Sequence, residues 1–407
     1  MTATNRRERE SVEQALAKGG GVLRLDPAWV ARDFPPPGYR LAVVGLKDDQ
    51  YDVGERGHIC ERWFASTTKA DNRVGPPDEG LSYVRLEGEA RLTLKDAVAV
   101  AGDLILGPEY AATHAGLGRL FKIYDFGTRI PYHLHPPMRF TALLGRNPKE
   151  EAYYFPQELD MGRHPETFFG VHPSITELKQ YDVLLPYLVD WNSDLILMHS
   201  RAYLLVAGEG FHLPTAIPHA PGTAVTLELQ EDSDVGVMLQ ARVEGLAIPK
   251  DALFKEVRPE DRVRYGERII LDMIDWELSG DPYFYEHRHL SPVPAAEAEG
   301  VHEDWIFYNT TKFSGKRLVI KPGCSIACTE KGVHSVLIWK GKGRYAGHEV
   351  EGGNPGMDEL LIGHECSMAP HLVENTGPAD LEVIKFFGPD INSGAPMLPV
   401  YPARLGL

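Results

Sequence analysis

Residues 124–155 read YDFGTRIPYHLHPPMRFTALLGRNPKEEAYYF, and the spacing of their polar residues indicates the fold. His133 and His135 stand two residues apart, so that on a β-strand both imidazoles point to the same face. Glu151 follows on the next predicted strand, and His219 comes later, in LPTAIPHAPGT. A His-x-His pair alone is often two surface histidines. The pair, the Glu and the late His together predict a site for a zinc, manganese, iron or nickel ion.

Short apolar runs surround this stretch, and Gly, Pro, Asp or Asn bound each of them, as is typical of β-strands. The chain contains 40 Gly and 31 Pro, residues that favour turns between short strands. The predicted strands are YRLAVVGL (39–46), LSYVRLEG (81–88), RAYLLVAG (201–208), AVTLELQ (224–230), KRLVIKPG (316–323), SVLIWKGKG (335–343) and LEVIKFFG (381–388).

Two segments interrupt the strand pattern with capping boxes, which predict helix starts. One box runs from Thr93 to Asp96 and the other from Ser174 to Glu177. Residues 251–304 combine a helical stretch with a tail rich in Pro, Ala and Glu that is typical of a linker. A second strand-rich block follows, from Trp305 to about residue 388. The pattern predicts a mainly β protein of two β domains with helical additions.

Composition narrows the classes of function. Lys and Arg number 42 against 58 Asp and Glu, a formal net charge of −16, which disfavours nucleic acid and anionic membranes as partners. No apolar stretch approaches the roughly 20 residues of a membrane span. Four cysteines are too few for a disulfide framework, and the polar N-terminus lacks the apolar region of a signal peptide. We therefore expect a cytoplasmic protein.

Six weak motifs in a fixed order resemble type I phosphomannose isomerases, the cupin enzymes that interconvert mannose 6-phosphate and fructose 6-phosphate. The resemblance covers roughly residues 20 to 245. Its motifs are Glu61-Arg62-Trp63, LTLKDAV (92–98) with LILG (104–107), Asp125-Phe126 with His133-Leu134-His135-Pro136, Lys149 to Tyr154, Pro214 to Ala220, and LELQEDSD (227–234).

The resemblance implies a fold of two cupin barrels, that is, double-stranded β-helices or jelly rolls, with a helical insertion and a helical linker. Residues 1–250 would form the metal-binding cupin domain, with the insertion at about residues 156–200. Residues 251–304 would form the helical segment and linker, and residues 305–407 the second cupin domain.

The resemblance also implies one divalent metal ion, zinc in this family, on His133, His135, Glu151 and His219. His133 stands where the family has Gln, so the ligand set becomes three His and one Glu. That set also accommodates manganese, iron or nickel, and the identity of the metal stays open.

The activity implied is that of an aldose–ketose isomerase that acts on a hexose or hexose 6-phosphate through an enediol. Glu228 and Lys149 are the candidates for proton handling, although a solvent-facing strand glutamate and a loop ion pair are the alternatives. The catalytic Arg of the family aligns with Val237 or Met238, and Arg242 lies four residues beyond. Arg242 is the third candidate if a small loop shift restores the family position.

Two observations keep another function open. Pro131 replaces the family's Ser on the phosphate side, and Val237 or Met238 aligns with the family's catalytic Arg. Together with Pro131, the negative net charge favours a neutral or differently charged sugar over a sugar phosphate. The alternative is a metal-binding cupin of different activity, such as another sugar-modifying or oxygen-dependent enzyme, or a carbohydrate sensor without turnover. The expected ligand is a sugar or sugar phosphate, and the oligomeric state stays open with a homodimer as one option.

The second block carries only half of the metal pattern. His371 stands at the position of the late cupin ligand, in HECSMAPHLVENTGPADLEVIKFFGP. Upstream lie Cys324, Cys328, Glu330 and His334 without a His-x-His pair. We predict a cupin without metal, with a cysteine-containing site as the alternative.

Overall fold

The computed structural model describes residues 3–87 and 91–401, and most of its regular structure is antiparallel β-sheet. The helices are α1 Ala3–Lys18, α2 Leu94–Ile105, α3 Pro108–Thr113, α4 Met138–Thr141, α5 Pro173–Glu177, α6 Leu185–Asp190, α7 Pro259–Tyr265, α8 Arg268–Met273, α9 Trp276–Ser279, α10 Phe284–Arg288 and α11 His364–Met368. Short 3₁₀ helices span Leu41–Val44, Asp48–Gln50, Gly54–Arg56, Ala142–Leu144, Leu195–His199 and Lys250–Phe254.

The strands fall into two series. The first is β1 Val22–Asp26, β2 Ala28–Arg32, β3 His58–Phe64, β4 Tyr83–Arg85, β5 Arg91–Thr93, β6 Leu120–Tyr124, β7 His133–Leu134, β8 Glu151–Tyr154, β9 Glu166–Phe169, β10 Arg201–Leu204, β11 Gly210–Leu213, β12 His219–Ala220, β13 Thr226–Gln230, β14 Val237–Met238, β15 Arg242–Val243 and β16 Leu246–Ala247. The second is β17 His289–Leu290, β18 Val293–Ala298, β19 Val301–Phe307, β20 Ser314–Ile320, β21 Ser325–Cys328, β22 His334–Lys340, β23 Lys342–Tyr345, β24 His348–Glu351, β25 Glu359–Ile362, β26 His371–Asn375 and β27 Leu381–Phe387.

The first block contains a seven-stranded sheet in the order β17-β11-β8-β13-β6-β3-β2 and a five-stranded sheet in the order β10-β9-β12-β7-β14. Alternate residues of the central strands of the larger sheet point to opposite faces. Leu227 and Leu229 of β13 belong to a hydrophobic core, whereas Thr226, Glu228 and Gln230 lie on the other face. All five residues are buried, because both faces of this sheet are covered.

The second block pairs a nine-stranded sheet, β18-β19-β20-β27-β22-β25-β1-β4-β5, with a four-stranded sheet, β21-β26-β23-β24. Its core combines residues from both sheets, among them Val336, Val383, Val350 and Val373. Strand β1 comes from the N-terminal end of the chain and pairs with β25, with Val22 opposite Ile362. The N-terminal residues therefore complete the sheet of the second block.

The two blocks pack against each other through the apolar face of the seven-stranded sheet. The ring of Phe121 lies 5.9 Å from that of Phe307 and 4.4 Å from that of Phe386. One buried core cluster includes these residues together with Leu227 and Leu337. The opposite, polar face of the sheet is thereby left to form the candidate site.

Six of the seven predicted strands quoted above contain a strand, and the YRLAVVGL prediction is wrong. Its residues form the 3₁₀ helix Leu41–Val44, which buries Leu41 and Val44 three positions apart and ends at Gly45, with φ of 88°. A period of three suits a 3₁₀ turn, in which residues i and i+3 lie on one side. The last residue of the predicted strand 81–88 lies outside the described residues.

The Pro-, Ala- and Glu-rich tail was expected to be a linker, but it forms the hairpin β18–β19. Strand β18 is the edge of the nine-stranded sheet, and most of its side chains are exposed. Edge strands tolerate Pro and charged residues because one side of their backbone needs no partner strand. Nothing in residues 3–87 or 91–401 forms a helix both long and apolar enough to cross a membrane.

The helix predicted at Thr93 is confirmed, since Thr93 caps α2 and its side chain accepts a hydrogen bond from the Asp96 amide. The helix predicted at Ser174 also exists, but it begins at Pro173, and its N-cap residue His172 makes no side-chain cap. Residues 3–18, expected only to be polar, form α1, which buries Val12 and Leu16.

Candidate metal centre

Three histidines from the five-stranded sheet converge on one point. His133 begins β7 and His219 begins β12, and the two residues are direct partners in the antiparallel ladder. His135 follows one residue after β7. One ligand atom from each of the three lies within 4.8 Å of the other two, and all three side chains are buried. Within the described ranges this is the only group of three or more His, Cys, Asp or Glu residues with such spacing.

Backbone carbonyls fix the orientation of each imidazole. The Nδ1 atoms of His133, His135 and His219 lie 2.7, 2.7 and 2.9 Å from the carbonyl oxygens of Pro131, Val235 and Ile217. Since a carbonyl only accepts hydrogen bonds, each Nδ1 carries the proton and each Nε2 carries the free lone pair. Metal-ligating histidines are held in this way in proteins.

Glu151 closes the group from the facing sheet. Its Oε2 lies 3.0 Å from His135 Nε2, and its Oε1 lies 3.0 Å from His219 Nε2. Ligands bound tetrahedrally to zinc at about 2.1 Å stand roughly 3.4 Å apart, close to these spacings. His219 Nε2 and Glu151 Oε2 are buried and make no hydrogen bond of good geometry with a described residue. The four residues therefore fit a divalent cation, which would satisfy both atoms.

The charge states also suit a metal. Burial lowers the pKa of His133 well below its usual range and lowers that of His135 to about 4. Burial would raise the pKa of Glu151, but Lys149 and His135 outweigh it and hold that pKa well below its usual range. At neutral pH His133 and His135 are therefore neutral imidazoles and Glu151 is a carboxylate, the forms that bind metals.

A chain of alternating charges extends from Glu151 across the polar face of the seven-stranded sheet. Lys149 Nζ lies 2.8 Å from Glu151 Oε2 and 3.2 Å from Glu228 Oε1. Lys122 Nζ lies 3.4 Å from Glu228 Oε1 and 3.4 Å from Glu61 Oε2. The ladder explains the order, because Glu228 of β13 is the register partner of Lys122 on β6. Arg32 continues the chain, with Nε 2.6 Å from Glu61 Oε1.

The carboxylates and the lysine of this chain have different pKa shifts. Burial raises the pKa of Glu228 and is only partly offset by Lys122 and Lys149. Burial also opposes the charge of Lys149, but Glu151 and Glu228 outweigh it and raise the pKa of the ammonium. Glu61 is likewise buried, yet Arg32 and Lys122 lower its pKa to about 2. Lys149 and Glu61 are therefore charged at neutral pH, and Glu228 holds its proton more readily than an exposed glutamate.

A cavity of about 790 Å³ opens above these groups. His133, His135, Lys149, Glu151 and Glu228 all line it. Five of the seven candidate residues therefore lie at the cavity wall. His219 does not line the cavity but contacts Glu151 at 3.0 Å. The alternative, that Glu228 is a solvent-facing strand residue, does not hold, since only 3% of its surface is exposed.

Arg242 does not reach this cavity. It lies in β15 with an exposed side chain and is not among the lining residues, whereas Met238 is. In the described residues, strand β15 pairs with β16 in a two-stranded ribbon, whose residues Leu246 and Ala247 line the cavity although Arg242 does not. Arg32 is an arginine that does line the cavity, and sequence reasoning missed it. The available signal was a charged residue at the end of the alternating strand AWVAR.

The second block places Tyr345 between its two candidate ligands. His334 Nε2 lies 3.0 Å from the Tyr345 hydroxyl, and His371 Nε2 lies 3.4 Å from it. Nearby, the Lys385 ammonium lies 2.7 Å from Glu303 and 2.9 Å from Glu330. The Tyr345 hydroxyl thus contacts both imidazoles, and the Lys385 ammonium contacts both carboxylates.

Comparisons with known proteins identify the fold. No protein-family model and no curated protein matches the chain. Among solved structures, mannose 6-phosphate isomerase from Bacillus subtilis matches with a TM-score of 0.60 at 14% identity, over 90% of this chain and 99% of that chain. A mutant of phosphomannose isomerase from Salmonella typhimurium matches with a TM-score of 0.59 at 12% identity, over 90% and 99%.

A zinc-bound mannose 6-phosphate isomerase matches over the same shares of the two chains, with a TM-score of 0.58 at 13% identity. The chain therefore has the fold of mannose-6-phosphate isomerases, as the sequence motifs predicted.

Proposed function

We propose that this chain is a metal-dependent aldose–ketose isomerase that acts on a hexose or hexose 6-phosphate. One observation carries the proposal: His133, His135 and Glu151, which group with His219, share a cavity wall with the buried pair Lys149 and Glu228. Isomerisation needs a proton moved between C1 and C2 and charge stabilised on the two oxygens, and this wall offers groups for both. The solved structures with the same fold, named as mannose 6-phosphate isomerases, support the proposal.

His133, His135, His219 and Glu151 would hold the metal ion, and zinc agrees with the nitrogen-rich ligand set. A bound zinc ion would supply Lewis acidity toward the carbonyl and hydroxyl oxygens of the sugar. Glu151 would serve as ligand only, because its low pKa makes it a poor acceptor of a proton from carbon.

Glu228 would transfer the proton between C1 and C2. Its raised pKa makes its carboxylate a better base than an ordinary glutamate. Its Oε1 is buried and makes no hydrogen bond of good geometry with the described residues, although two ammonium groups lie within 3.4 Å. Lys149 would stay protonated, orient Glu228 and donate a hydrogen bond to a sugar oxygen.

The proposal also covers the arrangement of the sheets into barrels. Each pair of sheets would form one cupin barrel, with the metal in the first and none in the second. The contacts of Tyr345 with His334 and His371 support the second part, since they use the atoms that a metal would need. The predicted division at residues 1–250, 251–304 and 305–407 stays a proposal.

The test is interconversion of mannose and fructose, free and as 6-phosphates, by zinc-loaded protein in deuterated water. We expect deuterium at C2 of the mannose formed, because the carboxylic acid formed by proton abstraction exchanges its proton with solvent during the lifetime of the enediol. Protein with one zinc per chain that labels no sugar of the panel would contradict the isomerase proposal. That result would favour the alternatives, another reaction at the metal or carbohydrate sensing without turnover.

A further inference from the structure

More acidic than basic side chains line the cavity. Five Lys and Arg side chains line it: Arg32, Arg73, Lys122, Lys149 and Lys255. Seven Asp and Glu side chains also line it: Asp33, Glu61, Asp71, Glu151, Glu228, Asp234 and Asp251. A divalent ion on the histidines would bring the formal sum only to neutral. The cavity as a whole therefore does not attract an anion.

The three inner cations are already engaged by buried carboxylates. Lys149 and Lys122 share Glu228, at 3.2 and 3.4 Å. Arg32 lies 2.6 Å from Glu61 and 3.2 Å from Asp234, with 16% of its side chain exposed. A ligand anion would have to break these pairs and leave buried carboxylates without partners, which is strongly unfavourable.

The two outer cations also lie near carboxylates. Lys255 Nζ lies 3.1 Å from Asp71 Oδ2, and Arg73 Nη2, on a side chain that is 79% exposed, makes a weaker pair at 3.7 Å from Asp33 Oδ2. The 3₁₀ helix Lys250–Phe254 begins at the mouth of the cavity, but its first turn carries Asp251, which repels an anion. A phosphate monoester is normally bound by unpaired Arg or Lys or by free backbone amides. None of the five cations that line the cavity is free of a carboxylate within 4.0 Å.

The remaining wall suits a neutral polyhydroxylated molecule. Aromatic side chains line it, including Phe34, Tyr124, Phe126 and Tyr153. Carboxylates at the mouth and Asn72 can accept hydrogen bonds from hydroxyl groups. We infer that the substrate is an unphosphorylated hexose, bound through its hydroxyls by carboxylates and selected against its 6-phosphate by the paired cations. This inference rests on the proposed function and gives its substrate class.

The first test compares kcat/KM of the zinc-loaded protein for mannose and fructose with the values for their 6-phosphates. Binding of an equilibrium mixture of each pair, the free sugars or the 6-phosphates, to zinc-loaded wild-type protein is measured by calorimetry and gives a second readout that is independent of the catalytic rate. We expect the free sugars to be favoured by at least about tenfold in both measurements. Equal or tighter binding and faster turnover of the 6-phosphates would overturn the inference.

These measurements distinguish a failure of the isomerase proposal from a failure of the inference about the substrate. Binding of free sugars in preference to the 6-phosphates, without turnover of any of them, would contradict the isomerase proposal and support the selection of a neutral sugar. Turnover of the 6-phosphates alone would support the isomerase proposal and overturn the present inference.

A pair of variants tests the ion-pair explanation itself. Asp71→Asn frees Lys255, whereas Asp251→Asn removes an equal charge whose ion-pair partner, Arg262, does not line the cavity. We expect Asp71→Asn to shift the ratio of 6-phosphate to free-sugar affinity toward the phosphate by about tenfold, and more than Asp251→Asn does. An equal shift in both variants would overturn the explanation, because general charge and not pairing would then set the preference.

Discussion

Glu151 and Glu228 are buried carboxylates that contact the same ammonium, and yet their proton affinities differ. Lys149 Nζ lies 2.8 Å from Glu151 and 3.2 Å from Glu228. Glu151 also faces two imidazoles, and its pKa is low, whereas burial raises the pKa of Glu228. Opposed shifts in neighbouring carboxylates separate a charged ligand from a group that exchanges protons.

The first residue-scale prediction concerns Glu228. Glu228→Gln keeps the shape of the side chain but removes the base, so we expect kcat for isomerisation to fall by about 100-fold or more. Zinc content, measured by elemental analysis, should stay at the wild-type level because Glu228 is not a ligand. Unchanged kcat in this variant would exclude Glu228 as the base.

The second concerns the metal ligands. His135→Ala and Glu151→Ala each remove one of four ligands, and we expect both proteins to lose zinc on dialysis. His289→Ala is the matched control, since His289 lies on the seven-stranded sheet as Glu151 does, contacts Glu209 at 2.6 Å and lies outside the metal group. Stoichiometric zinc in His135→Ala protein would contradict the ligand assignment.

The third residue-scale prediction concerns His334. Burial lowers the pKa of its imidazole to about 3, whereas the pKa in the unfolded chain is about 6.5. The unfolded chain takes up a proton that the folded chain does not, so this contribution to stability is complete above pH 6.5 and is lost as pH falls toward 3. The free energy of unfolding should decrease by about 1.4 kcal/mol per pH unit in that window from this residue alone. Urea unfolding between pH 7 and pH 5 measures the slope.

We expect His334→Asn protein to show a shallower decrease than the wild type between these pH values. His302→Asn, at a histidine with 43% of its side chain exposed, is the control and should keep the wild-type slope. Equal slopes in all three proteins would show that His334 is not held neutral.

At the scale of elements, helix α2 and helix α5 show what a capping motif predicts. Both sequences contain a capping box, but only Thr93 uses its side chain as a cap. Helix α5 begins at Pro173, whose fixed φ and missing amide hydrogen suit the first turn, so Ser174 is already inside the helix. The motif predicted the presence of both helices and the exact start of one.

The prediction at this scale compares the loss of the Thr93 side chain with the loss of the Ser174 side chain. Thr93→Ala should lower the free energy of unfolding by about 1 kcal/mol, the usual value of a lost N-cap. Ser174→Ala, at an exposed position without a capping bond, should change it by less than about 0.5 kcal/mol. Urea denaturation of both variants is the measurement, and equal losses would contradict the difference in capping.

Strand prediction succeeded and failed for identifiable reasons. Runs such as AVTLELQ show the alternation or apolar content of strands, and β13 lies there. YRLAVVGL has similar composition but is bounded by Gly45 in a left-handed conformation, which ends a 3₁₀ turn. The hairpin β18–β19 was missed because its edge strand has the composition of a linker. Composition alone does not distinguish an exposed edge strand from a loop.

At the scale of the whole molecule, a buried ion pair joins the two blocks. Arg62 of β3 makes two hydrogen bonds to Asp358, at 2.7 and 2.8 Å, and one to Glu359 at 3.1 Å. The side chains of all three residues are fully buried. Together with the shared core around Phe121, this pair makes the two blocks interdependent.

Arg62→Met should therefore lower the free energy of unfolding by about 3–5 kcal/mol, because it leaves the buried carboxylates of Asp358 and Glu359 without their cation. Unfolding should remain a single transition when followed by fluorescence and by circular dichroism. Arg85→Met breaks the half-exposed pair with Asp26 and should cost no more than about 1 kcal/mol. Similar losses in the two variants, or separate transitions for the two blocks, would contradict this account.

The candidate site was predictable where it depends on spacing within one strand or on an ordered motif. His133, His135, Glu151 and His219 come together as the sequence indicated. Lys122 was missed because its contacts depend on the sheet order β8-β13-β6-β3, in which chain neighbours are not sheet neighbours. The contact of Arg32 with Glu61 joins the sequential strands β2 and β3, and it was missed because no motif marks it. Arg242, the third candidate, lies in a ribbon outside the larger sheets and does not line the cavity.

Proton exchange on fructose tests the central claim most directly. Fructose in deuterated water is followed by proton magnetic resonance with protein that carries one zinc ion per chain. The account predicts stereospecific loss of one of the two C1 hydrogens with the wild type, and a loss slower by about 100-fold with Glu228→Gln. No loss of either hydrogen with the zinc-loaded wild type, or the same rate in both proteins, would contradict it.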